Sequence, residues 1–270
     1  MEKIKRNERL AAMTAILTAS PNQIFTLSYF CDLFFTAKST VSEDVAILQG
    51  TMKQFRLGRL ETVTGAAGGV RYRPIGLGAS SRPFIEGICQ RLREKERQLP
   101  GGYLYFSDLL SEPQLVQGMG TLIASQYYDC GADFVLTMET KGIPVALMTA
   151  NALRVPLIIA RRATKVYEGS AVNISYVTGN GSIESMALSR RAVHEGQKAL
   201  IVDDFMRGGG TARGMIELMK EFNVSVAGIC FVLALENPKN RQIEGEKALM
   251  LLSDMRNGQP FTVRPADWIE

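Results

Sequence analysis

Residues 199–214 read ALIVDDFMRGGGTARG and contain three physical elements in a row. The first four residues are an apolar run without alternation, which is typical of a strand buried on both faces of a parallel sheet. Asp203 and Asp204 follow where this strand leaves the sheet, at the edge where open α/β folds bind ligands. Residues 208–211 predict a tight glycine turn before a helix that starts near Thr211. The backbone N–H groups of such a turn and the positive end of the helix favour a phosphate.

A carboxylate pair beside a phosphate site points to one ligand that carries both a phosphate and neutral hydroxyl groups. Asp203 and Asp204 would accept hydrogen bonds from a ribose, as an acidic residue does in dinucleotide sites, while the turn holds the 5′-phosphate. A dinucleotide fold is disfavoured because no G-x-G-x-x-G follows a strand, and no G-x-x-x-x-G-K-[ST] supports a Walker site. A strand end with solvated acids and a helix-capping glycine turn is the plainer alternative.

Length and composition predict two packed domains. The chain has 270 residues, of which 46% are hydrophobic and 21% charged. This balance is typical of folded domains rather than disordered chains. No apolar run reaches 18 residues, and the first eight residues are polar, so we expect a soluble cytoplasmic protein with no membrane partner.

Cysteine and histidine usage argues against metal and redox chemistry. Cys31, Cys89, Cys130 and Cys230 are far apart without C-x-x-C spacing, and His194 is the only histidine. These counts exclude ordinary zinc spacings and catalysis that needs several histidines. We predict no resident metal, no redox cofactor and buried, reduced thiols.

The first quarter of the chain carries all of the net positive charge. Residues 1–74 contain ten Lys and Arg against six Asp and Glu, a surplus of four, whereas residues 75–270 contain 21 of each. Such asymmetry suggests that the N-terminal end faces nucleic acid.

The same quarter has the pattern of a winged helix-turn-helix. Apolar spacing predicts helices over residues 7–18, 27–34 and 41–48, followed by strands over 60–64 and 70–73 with a small-residue tip between them. Thr26 is a plausible cap of the second helix. Ser39 or Thr40 would cap the third, and Glu43 would complete a capping box.

This arrangement predicts double-stranded DNA as a partner. The start of the third helix would face the major groove with Lys38, Ser39, Thr40 and Ser42. Phosphate contacts would come from the arginines Arg6, Arg9, Arg59 and Arg71. A small helical cap or an oligomerisation domain is the alternative for this quarter.

The remaining residues predict an α/β domain with a mainly parallel sheet. We place a linker at 75–83 and the second domain at 84–270, with helices over 84–97 and 113–128. Residues 134–138, 143–153 and 156–160 then read as strand, helix and strand, a βαβ unit. Lys141 and Gly142 precede that helix and predict a second anion site, although a plain glycine turn fits equally well.

The last third continues the alternation. Residues 172–177 and 183–188 predict a hairpin that turns at 179–181. A helix over 215–222 and a buried strand over 226–235 follow the glycine turn.

The strand, the acid pair and the glycine turn resemble the phosphoribosyl pyrophosphate (PRPP) motif of type I phosphoribosyltransferases. Together with PGGY at 100–103, TKGIP at 140–144 and the preceding winged helix, the chain closely resembles the purine-operon regulators of low-GC Gram-positive bacteria. The resemblance implies a transcription factor that binds control DNA of purine-synthesis genes as a homodimer and senses PRPP. In phosphoribosyltransferases the predicted hairpin carries a mobile hood; a solvated hairpin is the alternative here.

Site roles follow from this resemblance. Asp203 and Asp204 would hold the ribose hydroxyls. The 5′-phosphate would contact Gly208, Gly209, Gly210 and Thr211. Thr140, Lys141 and Gly142 would face the pyrophosphate, together with Mg²⁺. Phe205 and Arg207 lie inside the motif, where ligand contact is expected.

Two departures from the enzyme pattern argue against catalysis. Position 208 is Gly where active transferases commonly have Thr, and position 207 is a bulky Arg where a small residue is common. Backbone N–H groups remain and Arg pairs well with phosphate, so binding is still expected. We therefore predict no catalytic residues; an active purine phosphoribosyltransferase with an appended DNA-binding domain is the rival hypothesis.

Overall fold

Three hydrophobic cores organise the chain. The structure is a computed structural model that describes residues 4–65, 68–75, 81–100, 103–164, 169–178, 181–238, 240–253 and 261–270. One core lies in the N-terminal quarter. The other two lie on opposite faces of a six-stranded sheet in the remainder.

The N-terminal quarter folds as three helices and a hairpin, which confirms the winged-helix prediction. The elements are α1 (Arg6–Ala19), α2 (Leu27–Phe34), α3 (Lys38–Gln54), β1 (Arg59–Val63) and β2 (Gly69–Arg73). β1 and β2 pair antiparallel, with Leu60 opposite Tyr72. Met13, Leu17 and Phe30 are fully buried between these elements.

The helix starts show one correct cap and one incorrect one. The Thr26 hydroxyl accepts a hydrogen bond from the Tyr29 backbone N–H at 3.2 Å, as predicted. α3 begins at Lys38, and the preceding Ala37 makes no side-chain cap bond, so the predicted cap by Ser39 or Thr40 is wrong. Both residues lie inside the first turn, and Glu43 pairs with Arg6 at 2.9 Å instead of closing a capping box.

The second domain is built on a mainly parallel sheet, as predicted. Its strand order is β12-β11-β10-β9-β5-β6. The strands are β5 (Phe134–Met138), β6 (Leu157–Ala160), β9 (Lys198–Met206), β10 (Ser225–Leu235), β11 (Lys247–Leu252) and β12 (Val263–Pro265). All neighbours run parallel except β12, which pairs antiparallel with β11 at the edge.

Helices cover both faces of this sheet. α4 (Ser81–Leu92), α5 (Pro113–Ser125) and α6 (Ile143–Leu153) pack on one face. α7 (Gly210–Glu221) packs on the other face with the hairpin of β7 (Ala171–Val177) and β8 (Ile183–Ser189). Because parallel strands need covered faces, this layering accounts for the continuous apolar runs in β5 and β9.

Several boundaries differ from the sequence prediction. α4 begins at Ser81, inside the predicted linker, and ends at Leu92, because residues 95–97 form a separate 3₁₀ turn. Residues 76–80 of the linker and residues 179–180 of the hairpin turn lie outside the described residues. β9 extends to Met206, so the acid pair lies within the C-terminal part of the strand rather than after it.

Two smaller features border the pocket or anchor the chain end. β3 (Gln98–Leu99) and β4 (Tyr103–Leu104) form a short antiparallel ladder. The Trp268 indole N–H donates to the Ala248 carbonyl at 2.7 Å, which fixes the C-terminal segment to β11. Trp268 therefore has a structural role that its sequence context did not suggest.

Candidate ligand pocket and nucleic-acid interface

The glycine turn between β9 and α7 is shaped by close backbone approach. Gly209 has φ +86°, in the left-handed region that favours glycine. A side chain at Gly210 would overlap the backbone of Val177 and Thr178, so the turn needs a bare backbone there as well. α7 starts at Gly210, and the first N–H groups of a helix have no partner inside the helix. The turn thus has the geometry that suits an anion, and binding there stays a prediction.

A cavity of about 480 Å³ opens in front of this turn. Its walls include predicted ligand residues from two separate loops: Lys141, Asp204, Phe205, Arg207, Gly208, Gly209, Gly210 and Thr211. A second cavity of about 350 Å³ adjoins it and is lined by Thr140, Asp203 and the side chains of Glu139, Arg162 and Tyr176. The structure therefore brings the two predicted loops together. That they contact a ligand stays a prediction.

Asp203 and Asp204 form a buried like-charge pair. Asp203 is 6% exposed and accepts hydrogen bonds from the Asp204 backbone N–H at 3.0 Å and the Thr137 hydroxyl at 3.4 Å. Burial raises the pKa of Asp203 well above its ordinary value, and the charge of Asp204 adds to the rise. Burial also raises the pKa of Asp204, which the nearby charge of Lys141 partly opposes. Such a pair favours a ligand that offers hydroxyl donors or a cation.

The loop that carries Thr140, Lys141 and Gly142 leads from β5 into α6. Gly142 is required by packing, because a side chain there would overlap the Asp203 carboxylate. The N terminus of α6 consequently starts directly beside the acid pair. The structure thus brings a helix N terminus, Lys141 and a bare glycine together, a combination that favours negative charge. That this loop binds an anion stays a prediction.

Two aromatic side chains that the sequence did not assign to the site, Tyr103 and Phe106, form part of the pocket wall. The Phe106 and Phe205 rings meet edge-on at 6.2 Å between centroids, and Lys141 Nζ lies 6.0 Å from the Phe106 centroid. The Arg207 guanidinium lies 5.7 Å from the centroid of the Tyr103 ring. Tyr103 belongs to the PGGY stretch, so a signal existed; Phe106 carried none.

Charged side chains on the hairpin side of the pocket are paired. Arg162 contacts Glu184 at 3.2 Å, and its backbone N–H donates to Glu139 at 2.8 Å. Tyr176 donates its hydroxyl to Glu184 at 3.0 Å. Arg162, just before the predicted hairpin, therefore belongs to a network with Glu139 and Glu184, two acids that the sequence analysis did not select.

The predicted DNA-reading residues lie together at the start of α3. Lys38, Ser39 and Ser42 are exposed, and Thr40 is half-buried. The side chains of Arg6 and Arg59 are 55% and 57% exposed. This surface has the accessibility that groove and phosphate contacts require.

Two of the predicted phosphate contacts are engaged elsewhere. Arg9 is buried, donating from Nε to Asp44 at 2.7 Å and from Nη1 to the Ile4 carbonyl at 2.9 Å. The prediction that Arg9 contacts a phosphate is wrong, because its guanidinium cannot leave this pair without leaving Asp44 buried and uncompensated. Arg71 is largely buried and pairs with Glu61 at 3.0 Å.

Family models match both parts of the chain. Residues 5–74 match the N-terminal domain of the bacterial purine repressor, and residues 106–262 match the phosphoribosyl transferase domain. The purine biosynthesis transcriptional repressor PurR of Bacillus subtilis is 41% identical over 252 residues, which cover 93% of this chain and 88% of that protein. The chain belongs to the bacterial purine biosynthesis transcriptional regulators. The purine-operon resemblance drawn from its motifs is confirmed.

Relatives in this regulator family are named both as repressors and as activators. The purine biosynthesis transcriptional activator PurR of Lactococcus lactis is 40% identical over 248 residues, covering 92% of each chain. Xanthine phosphoribosyltransferase of the same species is 32% identical over 142 residues, but these cover only 52% of this chain. An adenine phosphoribosyltransferase structure from Thermoanaerobacter pseudethanolicus superposes with a TM-score of 0.53 at 21% identity over 63% of the chain, a likeness of fold alone.

Metal clusters and membrane-spanning helices are both lacking from the part of the chain that the structure describes. Within the described residues, no group of three His, Cys, Asp or Glu side chains is arranged to hold a metal ion. None of the helices in the described ranges is long and apolar enough to cross a membrane.

Proposed function

We propose that this regulator senses PRPP in its second domain and binds control DNA of purine-synthesis genes as a homodimer, without catalysis. The observation that carries the proposal is the buried acid pair, which lies beside the N termini of both α6 and α7. A ligand with vicinal hydroxyls, a 5′-phosphate and a pyrophosphate matches these three features in one molecule. Because the DNA of a bacterium lies in the cytoplasm, we place its action there.

The ligand contacts follow from this geometry. Asp203 and Asp204 accept hydrogen bonds from the ribose hydroxyls. Gly208, Gly209, Gly210 and Thr211 hold the 5′-phosphate through backbone N–H groups and the Thr211 hydroxyl. Thr140, Lys141 and Gly142 face the pyrophosphate, where the positive end of α6 offsets its charge. Phe205 and Arg207 close the outer side of the pocket.

A magnesium ion fits the donor groups of this site. Mg²⁺ binds proteins through one or two carboxylates, while substrate phosphates and water complete its shell. Asp203 and Asp204 supply carboxylates beside the pyrophosphate loop, and a cation would offset their like charges. We therefore propose that PRPP binds as its magnesium complex, with the metal brought by the ligand.

The absence of catalysis is part of the proposal. Gly208 lacks the hydroxyl donor that active transferases commonly have at this position. The rival hypothesis of a purine phosphoribosyltransferase is supported by the partial match to a xanthine-specific enzyme. Incubation with PRPP, Mg²⁺ and each purine base separates the two; sustained formation of a nucleotide would reject the regulator-only proposal.

Calorimetry of the Asp204→Asn variant tests PRPP sensing directly. We expect magnesium PRPP to bind the parent and to lose at least tenfold in affinity in the variant, since the ribose loses a charged acceptor. DNA affinity without PRPP should be unchanged. Glu221→Gln, at the far end of α7, serves as the matched control and should bind PRPP as the parent does. Absence of heat with the parent would refute the sensor.

A further inference from the structure

Asn22 connects the winged helix to the second domain. It lies between α1 and α2 with φ 59°, in the left-handed region. Its amide Nδ2 donates to the Leu153 carbonyl at 2.8 Å, at the last residue of α6. Its side-chain oxygen accepts from Arg73 Nε at 3.1 Å. One side chain therefore binds both the end of α6 and a buried cation of the wing.

Arg73 is the second connection and is almost fully buried. Its Nη2 donates to the Tyr128 carbonyl at 3.3 Å and to Asp129 at 2.9 Å, and its guanidinium stacks 4.9 Å from the Tyr128 ring centroid. The Tyr128 hydroxyl donates to the Pro74 carbonyl at 2.7 Å. A buried guanidinium is costly unless its donors are satisfied, so these contacts fix the orientation of the two domains.

Helix α6 joins these contacts to the candidate effector site. Its N terminus at Gly142 abuts Asp203, and its C terminus at Leu153 binds Asn22. Eleven helical residues span about 16 Å, so one rigid element has an end in each place. α5 packs along it so closely that a Cβ at Gly120 would lie 2.8 Å from the Thr149 backbone nitrogen. α5 ends just before Tyr128, so both helices lead to the same domain contact.

We infer that Asn22 and Arg73 are positioning residues, which hold the DNA-binding domain in an orientation that depends on helix α6. This inference rests on the proposed PRPP site. A ligand shifts an equilibrium only through different interactions with the two states. Pyrophosphate bound at residues 140–142 supplies such a difference at one end of α6, and close-packed helices transmit it because they do not deform freely.

The Asn22→Gly variant tests the inference without straining the backbone. Glycine retains the left-handed conformation while removing both hydrogen bonds of the side chain. Asn223→Gly is a matched control, because Asn223 also has a positive φ of 54°, but its side chain donates to Glu195 within the second domain. Both variants are used as full-length protein, with a duplex from the control region of a purine-synthesis gene.

The expected result is a loss of coupling with both binding sites preserved. In Asn22→Gly, calorimetric PRPP affinity should stay within twofold of the parent, while PRPP should change the DNA dissociation constant by less than twofold. Asn223→Gly should respond to PRPP as the parent does. A full PRPP response in Asn22→Gly would overturn the inference, since Asn22 would then be dispensable for transmission.

Hydrogen exchange gives a readout that does not need PRPP. DNA alone should slow amide exchange near the C terminus of α6 in the parent and in Asn223→Gly, and not in Asn22→Gly. If the parent binds no PRPP, the proposed function fails while this readout still decides the inference. Equal protection in the parent and Asn22→Gly would overturn it.

Discussion

Two buried aspartates of this protein, Asp44 and Asp203, have opposite surroundings. Asp44 is fully buried under α1 and faces Arg9, whose Nε and Nη2 lie 2.7 and 3.3 Å from its two oxygens. Asp203 is also buried, at 6% exposure, but its neighbour is a second carboxylate, that of Asp204. The first charge is matched within the fold and the second is not.

This difference separates stability from function. A buried carboxylate with a bidentate arginine satisfies its own hydrogen bonds and offers nothing to a ligand. A buried carboxylate beside a like charge costs free energy in the folded state, and such a cost is typical of ligand-binding and catalytic sites. The contrast assigns Asp44 to the architecture of the winged helix and supports the binding role proposed for Asp203.

Of the variants that test this contrast, removal of the Asp44 carboxylate should have the largest effect on folding stability. Asp44→Ala leaves the Arg9 guanidinium buried without its partner, which costs about 3–5 kcal/mol of folding free energy. Urea denaturation followed by circular dichroism measures the loss. Fluorescence of Trp268, the only tryptophan, reports the second domain separately.

Two further variants sharpen this prediction. Glu43→Gln breaks the exposed pair with Arg6 and should cost less than about 1 kcal/mol, because solvent screens it. Arg9→Met combined with Asp44→Leu should recover most of the stability, because apolar pairs commonly replace buried ion pairs. An Asp44→Ala protein as stable as the parent would mean that the buried pair contributes nothing.

Asp203→Asn should increase folding stability, in contrast to Asp44→Ala, and the increase should depend on pH. Well below pH 3.8 the carboxyl is protonated in both the folded and the unfolded chain, so its ionisation does not contribute to the difference in stability between variant and parent. As pH rises through 3.8 the unfolded carboxyl ionises more readily than the folded one, whose pKa is raised by burial and by the charge of Asp204, so the parent loses stability. The variant lacks this loss and should be more stable near neutral pH.

Denaturation of both proteins between pH 3.5 and 7 measures the difference in their free energies of unfolding, in which about 1.4 kcal/mol at 25 °C corresponds to a tenfold difference in proton affinity between the folded and unfolded chain. The same variant should bind PRPP more weakly, so stability is gained as function is lost. Asp133→Asn is a control, because Asp133 is exposed and accepts a hydrogen bond from the Lys198 backbone N–H at 2.8 Å. A parent with a higher free energy of unfolding than the variant at pH 7 would contradict the view that the buried Asp203 carboxylate is destabilising.

The two regions also differ in how far the sequence could predict them. The acid pair, the glycine turn and α7 are consecutive, so strand, turn and helix rules apply to one short stretch. The Arg9–Asp44 pair joins residues 35 positions apart, and no local rule gives the pairing. One signal was present: Arg9 precedes Met13 and Leu17 at intervals of four, on the buried face of α1.

The pocket wall and the domain contact show the same limit. Phe106 reaches the site from a segment almost 100 residues before the glycine turn, and its type alone does not distinguish it from a core residue. Asn22 follows Pro21 in a stretch that reads only as a helix break, and its bond to Leu153 spans 131 residues. Fold class, strands and the candidate anion sites can be predicted from local sequence pattern. Pairings between distant segments become visible only in the folded structure.

The smallest expected effect concerns the exposed cations of α3, which contrast with buried Arg9. Each phosphate that a protein neutralises contributes about 0.9 to the slope of log affinity against log salt. Lys38→Gln should therefore lower that slope by roughly one unit and leave folding stability unchanged, since Lys38 is exposed at the first residue of α3. Anisotropy titrations at several salt concentrations measure the slope.

Lys53→Gln is the matched control for this titration, because the same charge is removed from the same helix, about 22 Å away at its other end. Its slope should equal that of the parent if only the start of α3 meets DNA. Equal losses in the two variants would indicate a general charge effect and remove Lys38 from the interface. The exposed cations of α3 would then give no evidence of a specific DNA-binding surface, and the buried Arg9 would differ from them only in its contribution to folding stability.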